Sequence, residues 1–192
     1  MISEETESFY PTSRQAWRLW LAENHISKQA VWLVQYKKSA NIPTISWSEA
    51  VEEALCFGWI DGIRKSIDHK RYIQFFTKRK PKSTWSKINK EKVLELIAAR
   101  LMTKAGLESI TRAKENGSWI ILDEVEELLI PKDLEFEFRK KPEAREFFLG
   151  LSKSVKKAIL QWIAFAKRAE TRAKRIAEVV DLANQKLKPK QF

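Results

Sequence analysis

RYIQFFTKRKPKSTWSKIN, residues 71–89, changes its character in the middle. Its first seven residues have the aromatic and β-branched content of a strand, and Lys78, Arg79, Lys80 and Lys82 around Pro81 then break the pattern. Hydroxyl residues follow, so that Ser83, Thr84 or Ser86 is expected to cap a helix in which Trp85, Ile88, Leu96 and Ile97 share much of one face. A strand that hands over to a helix through a basic loop points to an α+β fold.

Upstream, residues 63–67 and 71–77 flank an Asp68-His69 turn and read as a hairpin. The run AVWLVQY at 30–36 is too apolar and too short for a surface helix and reads as a buried strand. Thr12 and Gln15 form a capping pair ahead of a helix over 13–24 that turns Trp17, Trp20 and Leu21 to one side. Ser46 and Glu49 form a second capping box. Trp47, Ala50, Val51, Ala54 and Leu55 then recur at helical spacing until Gly58, with Glu49, Glu52 and Glu53 placed on the outer face.

Downstream the periodicity is helical throughout. Thr103 caps a helix that stops at Asn116-Gly117, and an acidic, apolar segment leads to Pro131. Helices are expected near 131–139 and 142–149, then from Ser152 with Val155, Ile159, Trp162, Ile163 and Ala166 inward, and from about 169 to 186 with Ile176, Val179, Val180 and Ala183 as its stripe. The expected organisation is an α+β domain over 1–118, with helices on a small antiparallel sheet, a connecting segment over 119–130, and an all-helical module over 131–192.

Charge is unevenly spread. The formal net charge of +11 divides into about −3 over 1–62, +9 over 63–92, −3 over 93–151 and +8 over 152–192. Two basic blocks among acidic neighbours suit an acidic partner, whether nucleic acid, anionic lipid or a phosphorylated or other anionic ligand. The acidic start, MISEETESFYPTS, lacks the basic and apolar regions of a secretory signal, and the lone Cys56 has no partner for an internal disulfide, so a cytoplasmic location is expected. No stretch is long and apolar enough to span a membrane.

Several chemistries are poorly supplied. His25, His69 and Cys56 are too far apart in sequence for a local zinc pair, and the five glycines form no phosphate-binding motif, so neither a metal nor a cofactor is expected. His69 beside Asp68 reads as a turn residue rather than a catalyst.

The segments ALCFGWIDG at 54–62, RYIQFFTKRKPKSTWSKIN at 71–89, MTKAGL at 102–107 and LSKSVKKAILQWIAFAKRAETRAKRIAEVV at 151–180 resemble the YdeI/OmpD-associated, or bacteriocin-protection, family. The resemblance spans nearly the whole chain and implies a link to stress or bacteriocin tolerance, but carries no established biochemical activity. Two positions depart from the family pattern. Lys78 stands where members usually have proline in Phe-Thr-Pro-Arg-Arg, and Ala169 stands in place of a proline before Glu170, which would let the last two helices run on as one.

The residues of interest are then Asp61, Arg64, Arg79, Lys80, Lys82, Ser83, Trp85, Ser86 and Asn89. Asp61 would orient Arg64 or Arg79, and the helix start at 83–86, with its free N–H groups and the cations before it, would suit a phosphate or carboxylate. Three roles stay open: a binding module for an anion or polyanion, which the pattern favours; an enzyme using Asp61 with Arg64, Ser83 or Ser86; and a protein-interaction scaffold.

Overall fold

The structure, a computed structural model, describes residues 6–192; the first five residues of the acidic start read above lie outside the described residues. The chain forms two compact units, one comprising residues up to Ser83 together with Ile88–Ser118, the other Thr84–Lys87 with Trp119–Phe192.

The first unit holds a four-stranded sheet in the order β1-β2-β4-β3: β1 Ser8–Phe9, β2 Ala30–Tyr36, β3 Trp59–Ser66 and β4 Arg71–Lys78. The β2, β4 and β3 pairs are antiparallel, as expected, and the two-residue β1 adds to β2 in parallel, which makes the sheet mixed. The hairpin's first arm begins at Trp59, four residues before the expected 63, and carries a bulge between Asp61 and Arg64. Its turn is built by Asp68, whose Oδ1 accepts from the N–H groups of Lys70 at 2.8 Å and Arg71 at 2.7 Å.

Helices α1 (Arg14–Asn24) and α2 (Trp47–Cys56) cover one face of the sheet. Trp17 donates its indole N–H to the Ala50 carbonyl at 3.0 Å and meets the ring of Phe76 edge-on, which joins both helices to β4. The cap of α1 is Ser13, whose Oγ accepts from Ala16, rather than Thr12. The Ser46–Glu49 box closes as read. Glu53, expected on the outer face of α2, is instead only 2 % exposed. Arg14 and Arg18 of α1 reach it at 2.6 Å each, so the crossing of two helices supplies the pairing that makes a buried carboxylate tolerable.

Helix α3 (Lys87–Ala98) starts directly after Ser86, the last of the three expected caps, so Ser83, Thr84 and Trp85 precede it. Val93 and Leu96 face inward, whereas Ile88 and Ile97, read as core, are 57 % and 42 % exposed. Lys92 bonds Glu52 at 2.7 Å and Ser48 at 2.6 Å of α2, which ties this side of α3 to α2. Helix α4 (Lys104–Glu115) is capped by Thr103 and ends before Gly117, whose φ of +77° is the left-handed conformation a helix end uses. Gly106 sits against the end of α2, and a Cβ there would lie 2.3 Å from the Cys56 carbonyl oxygen.

The second unit is all helical: α5 (Asp123–Glu126), α6 (Lys132–Lys140), α7 (Pro142–Gly150), α8 (Lys153–Ala164) and α9 (Ala169–Asn184). Leu134, Phe138, Phe148, Ile159, Ile163, Ile176 and Val180 share its core. Despite Ala169, α8 and α9 remain two helices, because one straight helix would not bring Ile159 and Ile163 against Ile176 and Val180. Arg168 is extended (φ −108°, ψ 141°), and Arg172 and Arg175 donate to the carbonyls of Ile163 and Trp162 at the end of α8.

Candidate functional site

Arg79, in the middle of the basic loop, is 8 % exposed. Its backbone N–H donates to the Gly58 carbonyl at 2.9 Å, which draws the end of β4 onto the turn between α2 and β3. The preceding Lys78 donates its N–H to Gln29 at 3.1 Å and its Nζ to the Ile26 carbonyl at 2.5 Å. The first of these bonds needs the N–H that a proline at this position would lack. These ties bring residues 25–29, 57–58 and 78–79 together.

Helix α4 closes the other side. Lys104, Glu108 and Arg112 are four residues apart and so lie on one face, while the opposite face, with Gly106 and Ile110, packs inward. The open cavity between them has a volume of about 580 Å³ and is lined by His25, Lys78, Arg79, Lys104, Glu108 and Arg112 over Ile26, Phe57, Gly58 and Ala105. Glu108 is the lone carboxylate among these residues, and its Oε1 lies 3.9 Å from Lys104 Nζ. The Nδ1 of His25 is 2.9 Å from the Leu21 carbonyl, which can only accept, so this nitrogen carries the proton. Burial lowers the Arg79 pKa to about 10, against the opposing pull of the Asp61 carboxylate; the guanidinium stays charged at neutral pH.

The other residues singled out from sequence go to different places. Asp61 Oδ2 accepts from the indole N–H of Trp47 at 3.0 Å instead of orienting Arg64, whose guanidinium lies 3.6 Å over the ring of Tyr72. Lys80 and Lys82 are exposed on a turn closed by Ser83 N–H to Lys80 O at 2.9 Å and anchored by Asn116 Nδ2 to Pro81 O at 2.7 Å. Asn89 is half-buried on α3. Trp85 and Ser86 fall in the second unit, where Trp85 packs on Trp119 with ring centroids 5.0 Å apart. Of the expected orienting contacts, the one the structure supports is the pull of the Asp61 carboxylate on Arg79.

The domain of unknown function DUF8412 matches residues 9–109, just over half of the chain. The chain belongs to the DUF8412 family. Residues 127–186 match the family described as bacteriocin-protection, YdeI or OmpD-associated, which is the relationship that the motifs suggested. The segments at 54–62, 71–89 and 102–107 lie within the DUF8412 match, and that at 151–180 within the other. No curated protein and no solved structure matches the chain.

In this DUF8412 chain the cavity gathers four cationic side chains, His25 and one carboxylate over an apolar floor. Burial pushes the Cys56 thiol up, away from its nucleophilic form. Among the described residues no group of three or more His, Cys, Asp or Glu is placed to hold a metal ion, and no helix is long and apolar enough to cross a membrane. Sequence reading found Arg79 and missed His25, Lys104 and Arg112. The spacing of Lys104, Glu108 and Arg112 was visible, but a row of charges at intervals of four also describes any solvated helix face.

Proposed function

We propose that the first unit is a non-enzymatic binding module for a small anionic ligand, held in the cavity around Arg79, and that through this ligand the protein contributes to stress or bacteriocin tolerance. One observation carries the reading. Lys78, Arg79, Lys104 and Arg112 converge from β4 and α4 on one concave space against a single carboxylate. Like charges held together raise the free energy, a cost that a bound anion relieves, and desolvation of Arg79 strengthens the attraction. A cavity rather than an exposed stripe favours a compact phosphate, sulfate or carboxylate over a polymer. The lone buried thiol supports a cytoplasmic setting for this role.

The test is calorimetric titration of the full chain with orthophosphate, sulfate, single-stranded and duplex nucleic acid at two salt concentrations, repeated on Arg79→Met and Arg112→Gln. Saturation at one equivalent by a small anion, weakened in both variants, is the expected result. No binding of any of them refutes the reading. Nucleic-acid binding with a steep salt slope that survives both substitutions moves the function to the exposed Lys80 and Lys82 turn.

A further inference from the structure

A second cavity of the first unit, about 490 Å³ in volume, is lined by Tyr36, Lys37, Lys38, Trp47, Arg64 and Tyr72 together with Thr44, Ile45, Ser46 and Glu49. It shares no residue with the cavity around Arg79.

Trp47 opens α2 and is 42 % exposed, although its indole N–H is already satisfied by Asp61 at 3.0 Å. That bond fixes the ring and leaves an apolar face toward solvent, which core packing does not account for. The Arg64 guanidinium lies 3.6 Å over the Tyr72 ring, and a guanidinium stacked in this way keeps its donors in its own plane, available to a planar or tetrahedral oxyanion. Lys37 and Lys38 add charge at the end of β2, where Tyr36 N–H to Thr44 Oγ1 at 3.1 Å holds the returning segment in place. The acidic residue of the lining, Glu49, is committed to the cap: its Oε2 accepts from Ser46 N–H at 2.9 Å and Ser46 Oγ at 2.6 Å. What the cavity presents is a fixed aromatic face beside three cations.

We infer that this cavity binds a nucleoside monophosphate, its base stacked on Trp47 and its phosphate held by Arg64 with Lys37 and Lys38. Stacking on an aromatic face tolerates any base, and a stacked arginine with two lysines supplies the charge-assisted donors that a phosphate dianion takes. An anion without a ring, or a ring without an anion, would satisfy half of the arrangement.

The experiment follows the Trp47 indole N–H resonance in the ¹⁵N-labelled full chain during titration with AMP, GMP, CMP and UMP, and separately with adenosine and with orthophosphate. The expected result is a saturable shift at one equivalent with at least one monophosphate, while adenosine and orthophosphate each bind at least about tenfold more weakly. Trp47→Leu and Arg64→Gln, both at exposed positions and followed by calorimetry, should each weaken that monophosphate by about tenfold or more. Arg112→Gln should leave it unchanged, which separates this cavity from the one around Arg79. A Trp47 resonance that no monophosphate moves overturns the inference. So does a shift produced equally by orthophosphate alone, or binding that Arg112→Gln removes and Arg64→Gln spares.

Discussion

Substituting Gly106 by alanine sets two effects of opposite sign against each other. Alanine is the better helix former, and at an interior position the exchange alone would stabilise by about 1 kcal/mol. In this fold the added Cβ would lie 2.3 Å from the Cys56 carbonyl oxygen and 2.7 Å from the Met102 methyl. The methionine end can move; the carbonyl, which already accepts from Thr103 N–H at 3.1 Å and Thr103 Oγ at 2.6 Å, cannot. Helix α4 must therefore draw back by about 1 Å to reach ordinary contact, with an overpacking cost of about 1–3 kcal/mol. Weakening the Thr103 bonds adds about 1 kcal/mol. The net expectation is a loss of about 2 kcal/mol, a fall of roughly 1 M in the urea midpoint of the first unit's transition for an m-value of ordinary size. The same displacement carries Lys104, Glu108 and Arg112 away from the cavity, so orthophosphate binding should weaken in step. An unchanged or raised midpoint would show that propensity wins and that α4 does not approach α2 as closely as described.

Glu53→Gln should destabilise the first unit by about 3 kcal/mol in urea unfolding, at the lower end for a broken buried pair because Arg14 and Arg18 are partly solvated and can rehydrate; no loss would refute the buried-charge account. Arg79→Met should leave stability equal or slightly raised by thermal unfolding while anion binding is weakened, since desolvation is the largest influence on this guanidinium; a large destabilisation would make Arg79 a structural residue. Asp68 is held at about 2 by the Lys70 N–H and then by Arg71, below its ordinary 3.8. Its lowered folded pKa means the turn's contribution is full above about pH 4 and is lost as the pH falls toward 2, which an NMR titration of the Asp68 carboxyl checks; an ordinary midpoint would remove this turn contact from the account.

The elements set by neighbouring residues were legible in the sequence. The Ser46–Glu49 box, the Thr103 cap and the hairpin turn rest on interactions within a few positions along the chain, while the strand at 30–36 and the C-terminal helices announce themselves by composition and period, and local pattern reports both directly. Faces were less legible than elements. Glu53 belongs by its spacing to the polar side of α2, and only the crossing with α1, which supplies Arg14 and Arg18, turns it into a buried anchor; Lys92 likewise finds its partners, Glu52 and Ser48, only on α2. The candidate site was least legible. Arg79 stood out by its basic loop, but His25, Lys104 and Arg112 meet it because β4 ends beside the Gly58 turn and Gly106 lets α4 close against α2. Sequence fixes a residue's place on its own element through short-range geometry, whereas convergence depends on how distant elements dock, and that is settled by packing across the fold.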